Sequence, residues 1–211
     1  MRRSSVASGL ALVAAALAIG VTSARGPLRK LDRCIYHFAN RPRGARTDAA
    51  AKGITELGSL WASAAASVVL ARAGRKRAAA DALGAALAMW AVGQLLKKVV
   101  RRPRPYEALE DARLLIAEPS GTSWPGSHPA VLLAFVTVAA QDVGVGPAAR
   151  AALTALAGAV GVSRISLGVH YPSDVAGGLL LGRGVADLWS VLVSPAVGAA
   201  PSHGATVTVS H

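Results

Sequence analysis

The chain has 211 residues, enough for one domain, and 53% of them are apolar while only 16% are charged. With a positive mean hydropathy, this balance excludes an ordinary soluble enzyme and points to a membrane protein. The formal charge of +12 does not indicate nucleic acid, because Lys and Arg gather at the ends of apolar runs instead of forming one stripe interleaved with aromatics.

Met1-Arg2-Arg3 precedes an apolar run from about Ser4 to Ala24, long enough to span a bilayer. The small residues Thr22 and Ala24 also suit cleavage of a signal peptide, and a retained helix over 1–24 is the favoured reading. Residues 25–52 form a basic segment in which Leu31, Ile35 and Phe38 recur at helical spacing, so a short interfacial helix is expected over Pro27–Asn40. His37 and Cys34 belong to that segment and have no partner motif nearby. As the only cysteine, Cys34 rules out an intrachain disulfide, a cysteine metal site and a redox pair.

A membrane core is expected over 53–197. Its second apolar run is Gly53–Arg72, followed by the basic turn Gly74–Arg77, which the positive-inside tendency assigns to the cytoplasm. Ala78–Leu96 is the third run, a polar loop extends from Lys97 to Trp124, and the fourth run goes from His128 to about Ala140. A link over Asp142–Arg150 leads into a fifth run that starts at Pro147 and reaches about Val162, and the sixth spans about Pro172–Val197. Residues 198–211 are expected to be a disordered tail. The expected architecture is therefore all-α, a six-transmembrane-helix bundle. Gly178 and Gly182 have the small-xxx-small spacing that lets helix backbones approach closely, and Arg183 and Asp187, four apart, are expected to pair.

Three polar clusters fall at one face of that bundle. Lys97 ends the third run, and Arg104 lies between Pro103 and Pro105, which push it toward an extended backbone and present its guanidinium for anion capture. Arg101 and Arg102 are expected to contact headgroups. In Pro125-Gly-Ser-His128, the N–H groups of Gly126, Ser127 and His128 fall where a helix begins and are expected to be free to bind an oxyanion. His128 can exchange a proton at neutral pH. In the third cluster, Pro172 suits the first position of a helix carrying Asp174 in its first turn. There Asp174 can accept the Nδ1 proton of His170 and leave Nε2 as a nucleophile, while Arg164 can fork onto a phosphate or carboxylate. Three cations, two imidazoles and a helix-start nest are the parts that phosphoryl transfer needs.

Lys97-x6-Arg104-Pro105, Pro125-Gly-Ser-His128 and Ser163-Arg164-x5-His170-x3-Asp174 together resemble the three ordered motifs of the type 2 phosphatidic acid phosphatases, whose superfamily also contains vanadium haloperoxidases. The resemblance covers about residues 50–197. It departs from the family at one place, where the usual Pro-Ser-Gly-His is replaced by an exchange of glycine and serine, so the hydroxyl contact of Ser127 to phosphate does not carry over directly. Pro119-Ser-Gly-Thr122 imitates the usual start without the histidine and is read as loop. The resemblance implies that His170 attacks phosphorus while Asp174 holds its tautomer. It further implies that Lys97, Arg104 and Arg164 neutralise the phosphoryl oxygens, and that His128 protonates the leaving group and then activates water. No metal or other cofactor is implied.

The implied substrate is a lipid phosphate: phosphatidic acid, phosphatidylglycerol phosphate, or a polyprenyl phosphate, diphosphate or phosphoribose phosphate. The expected setting is the cell membrane, with several spans and the active site on the non-cytoplasmic face, and no nucleic acid as partner. The sequence leaves the oligomeric state open. Two other classes fit parts of the pattern: a vanadate-dependent haloperoxidase, whose relatives are generally larger and soluble, and a non-catalytic membrane transporter or scaffold using the polar clusters as headgroup anchors.

Overall fold

The computed structural model describes residues 2–26 and 28–193, with side chains from Val6 onward. The tail expected over 198–211 lies outside them. Nine helices and no strand occur among the described residues. They are α1 (Arg2–Arg25), α2 (Leu28–Asn40), α3 (Ala45–Glu56), α4 (Leu60–Arg72), α5 (Lys76–Val100), the single turn α6 (Pro105–Ala108), α7 (Ser127–Val143), α8 (Pro147–Ser166) and α9 (Pro172–Leu192).

Helix α7 sits at the centre. Its Ala130, Val131, Leu132, Leu133, Ala134, Phe135, Val136 and Val138 are all buried, so the helix is apolar around its whole circumference, as a central helix must be. Helices α5, α8 and α9 surround it, and α1 packs along the outer side of α9. Small residues set these separations. A Cβ added at Gly178 would lie 2.4 Å from the Gly126 carbonyl oxygen, and one at Gly182 would lie 2.4 Å from that of Ala130. The small-xxx-small pair is therefore what lets α9 lie against the start of α7. Trp124, fully buried, fills the space between Gly20 of α1 and Gly177 of α9.

The expectation of six spans is only partly met. Four helices, α1, α5, α8 and α9, are long and apolar enough to cross a membrane. A fifth span results if α3 and α4 count as one, but these meet at a 60° bend. The second apolar run is thus not continuous: Ser59 caps α4 by accepting the Ala62 N–H at 3.1 Å, and the turn before it ends α3. Helix α3 itself runs through residue 53, where the basic segment was expected to give way to the core. At 17 residues α7 falls short of a full bilayer crossing, about 25 Å against a hydrocarbon core of about 30 Å.

A helix is present where one is expected over Pro27–Asn40, as α2. Its last residue, Asn40, donates to the carbonyls of Arg113 and Ser166 and accepts the Arg113 N–H, which ties α2 to the long loop and to the end of α8. Arg183 and Asp187 pair at 2.9 Å, as their spacing suggested.

Candidate active site

The three polar clusters meet in one cavity of about 360 Å³ near the ends of α5, α7 and α8. Lys97, Arg104, Ser127, His128, Arg164 and His170 all line it, together with Gly58, Ser59, Trp61, Trp90, Gln94 and Ser120. The lining holds three basic side chains and no carboxylate, so the cavity favours an anion.

Each charge is positioned by the local fold. Lys97, in the last turn of α5, is nearly buried. That helix stops at Arg101, which takes a left-handed conformation (φ 48°), so the chain reverses into Pro103. Arg104 is extended, as its flanking prolines require. Its guanidinium donates to the carbonyls of Gly121 and Val169 at 2.9 Å each and of Ser120 at 3.2 Å. The Pro119–Thr122 segment is therefore the cradle that orients Arg104. Its Thr122 also donates to the Lys97 carbonyl at 2.9 Å.

Helix α8 continues beyond Val162 to Ser166, which places Arg164 in its last turn, buried. One Arg164 Nη donates to Thr55 at 3.2 Å, while the buried Nε has no protein partner. Gly168 then makes the turn that delivers His170. Its φ of +90° and the Arg113 carbonyl, only 2.1 Å from where a Cβ would stand, exclude any side chain there.

His170 is 2% exposed, and its Nδ1 lies 3.6 Å from Asp174 Oδ2, an ion-pair distance longer than a hydrogen bond. Burial pushes its pKa down to about 3, opposed by the Asp174 carboxylate and reinforced by the Arg164 and Arg104 charges. The neutral imidazole is therefore the favoured form at physiological pH. Asp174 lies fully buried behind it. Its Oδ2 also accepts the Tyr171 N–H at 2.7 Å and the Ser123 hydroxyl, and its Oδ1 accepts from Arg102 at 2.7 Å.

Two expectations require correction. The Gly126 N–H is not free for an oxyanion, because it donates to the Asp174 carbonyl at 3.0 Å. Gly126 is instead the contact point of α7 with α9: a Cβ there would also lie 3.0 Å from the Asp174 carbonyl oxygen. Ser127 and His128, as the first residues of α7, keep N–H groups with no acceptor in a preceding turn. The Ser127 hydroxyl, buried and unpartnered, lines the cavity. This accounts for the glycine–serine exchange, since the tight contact falls at position 126 and the hydroxyl one residue later still faces the site. The second correction concerns Arg102, which is not a headgroup contact but is 5% exposed, bound to Asp32 and Asp174 at 2.7 Å each. Arg101, by contrast, is exposed.

A family model, the PAP2 superfamily, matches residues 78–197, more than half of the chain. The protein belongs to the PAP2 superfamily. Among curated relatives it is 34% identical over 118 residues to a decaprenylphosphoryl-5-phosphoribose phosphatase of Mycolicibacterium smegmatis, a match covering 56% of this chain and 62% of that protein. A protein of the same description from Mycobacterium tuberculosis is 36% identical over 96 residues, covering 45% of this chain and 50% of the relative. The matches therefore span less than two thirds of these relatives.

Among solved structures, a transmembrane PAP2 type phosphatidylglycerolphosphate phosphatase from Bacillus subtilis aligns with a TM-score of 0.69 at 21% identity, over 87% of this chain and 94% of that one. Aquifex aeolicus LpxE aligns with a TM-score of 0.66 at 28% identity, over 75% and 94%. The apolar helices and these neighbours together support a multi-pass membrane protein with the PAP2 membrane phosphatase fold.

Proposed function

We propose that the protein is an integral membrane phosphohydrolase that removes phosphate from a lipid phosphate through a phosphohistidine intermediate, without a metal. The observation that carries this reading is that His128 and His170 open onto one cavity with Lys97, Arg104 and Arg164. His170 Nε2 attacks phosphorus in line as the Asp174 contact to Nδ1 closes from 3.6 Å. The three cations, the Ser127 hydroxyl and the N–H groups at the start of α7 take the charge of the nonbridging oxygens. His128, protonated once the anionic phosphate is bound beside it, gives that proton to the leaving alkoxide. The neutral imidazole then takes a proton from water as that water displaces His170 from phosphorus, releasing inorganic phosphate.

A polyprenyl phosphosugar phosphate is the substrate class favoured by the matched relatives. Trp61 and Trp90, 86% and 43% exposed, line the cavity and present indole faces of the kind that sit at a membrane interface and stack on a sugar ring. We further propose that the chain crosses the bilayer six times, with α3–α4 as one bent span and α7 as a short central one. The basic turn at Gly74–Arg77 then lies in the cytoplasm and the cavity faces the other side.

Purified protein should release phosphate from a panel of polyprenyl phosphosugar phosphates, polyprenyl phosphates, phosphatidylglycerol phosphate and phosphatidic acid, with the first turned over fastest. Excess EDTA should leave the rate unchanged and His170→Ala should abolish it. Release that persists in His170→Ala, or that EDTA stops, contradicts this reading.

A further inference from the structure

The catalytic carboxylate proposed above is tied to a second carboxylate from a distant part of the chain. Arg102 donates from Nη1 to Asp174 Oδ1 and from Nη2 to Asp32 Oδ2, both at 2.7 Å. Asp32 comes from α2, outside the stretch matched by the family model. Ser173 closes the ring: its hydroxyl donates to Asp32 Oδ2 at 2.5 Å and accepts from Arg102 Nη1 at 2.7 Å, while its N–H donates to Asp32 Oδ1 at 2.9 Å. All three charged groups are buried, and the guanidinium carbon lies 4.1 Å from the centre of the Tyr171 ring.

Two carboxylates sharing one guanidinium leave a single net negative charge in this ring. If Arg102 faced Asp174 alone, the pair would be neutral and would pull only weakly on the Nδ1 proton of His170. With Asp32 drawing on the same guanidinium, Asp174 keeps its negative character toward the imidazole. That charge is used when His170 attacks phosphorus and its ring turns cationic. We propose that Asp32 is a positioning and charge-sharing residue for phosphoryl transfer, acting on His170 through Arg102 and Asp174. This inference rests on the reading of His170 as nucleophile.

Asp32→Asn tests it, because the amide oxygen can still accept from Arg102 or Ser173, so a tether survives while the charge is removed. The expected result is a kcat lowered by about tenfold, equivalent to about 1.4 kcal/mol of lost transition-state stabilisation. KM should stay within about twofold and the thermal midpoint should stay near that of the wild type. Adding Arg102→Gln removes the matching positive charge and restores the net charge of the ring, so Asp32→Asn with Arg102→Gln should have a higher kcat than Asp32→Asn alone.

A role confined to tethering α2 predicts the opposite pattern: Asp32→Asn close to wild type and the double variant worse than either single one. Either of those outcomes overturns the inference. If Asp32→Asn does not fold, the folded double variant decides alone, and a kcat more than about a hundredfold below wild type overturns it. Activity in His170→Ala would refute the underlying mechanism, whereas an inactive His170→Ala with an unimpaired Asp32→Asn refutes only the role of Asp32.

Discussion

At His170 the environment sets both chemistry and stability. In the unfolded chain its pKa returns to the ordinary value of 6.5, while in the folded protein it lies near 3. Between these values the unfolded state binds a proton that the native state does not, so stability falls as pH drops from about 6.5 toward 3 and its contribution is complete above 6.5. Thermal midpoints in detergent should decrease over that window, and His170→Gln, which removes one of the groups titrating there, should make the decrease shallower. Arg104 and Arg164 allow a second test. Arg104 is fixed by three carbonyls and Arg164 keeps a free buried Nε, an arrangement that a lysine cannot reproduce. Arg104→Lys or Arg164→Lys should lower kcat/KM by about a hundredfold, the scale seen for loss of one oxyanion donor. Steady-state kinetics on folded variants would check this.

The sequence made most of these residues legible because their chemistry is costly in an apolar chain and their spacing is ordered. Lys97, Arg104, Ser127, His128, Arg164, His170 and Asp174 could all be named from it. Arg102 and Asp32 could not. Arg102 lies among nine other charged residues between Lys97 and Trp124, and Asp32 is a lone acid in a basic helix, so nothing local marks either as buried. Gly126 was misread for a related reason: its N–H is free in an isolated helix start, and only the approach of α9 supplies its acceptor.

At the scale of the elements, the site depends on how closely α9 lies against α7. Gly178 meets the Gly126 carbonyl, and the Gly126 N–H meets the Asp174 carbonyl, so one contact sets both the helix spacing and the seat of Asp174, the carboxylate proposed to orient His170. Gly178→Ala places a methyl 2.4 Å from that carbonyl oxygen, and relieving it requires the helices to separate. The expected cost is about 1–3 kcal/mol of stability, as for overpacked cores, together with a lowered kcat. A thermal midpoint and kcat equal to wild type would show that this contact does not set the spacing. Helix ends were less legible than helices. Hydropathy follows the apolar face and does not register the 60° bend at the Ser59 cap between α3 and α4, where Gly58 lies tight against His128, or the extension of α8 to Ser166.

The whole molecule places a cation-lined cavity among helices built to cross a bilayer, which suits a substrate whose phosphate is wet and whose chains are not. The proposed sidedness places the Gly74–Arg77 turn in the cytoplasm and the loop after α5 on the other face. With Cys34 replaced by serine and a cysteine placed at Glu110, a membrane-impermeant maleimide should label intact cells, and labelling only after lysis would reverse the assignment. The most direct measurement, however, is of the intermediate itself. Mixing the protein with a 32P-labelled substrate and quenching in alkali should trap label on the imidazole of His170 in the wild type, with none in His170→Ala. Label found on any other residue, or turnover without a labelled histidine in a protein that still needs His170, would contradict the account.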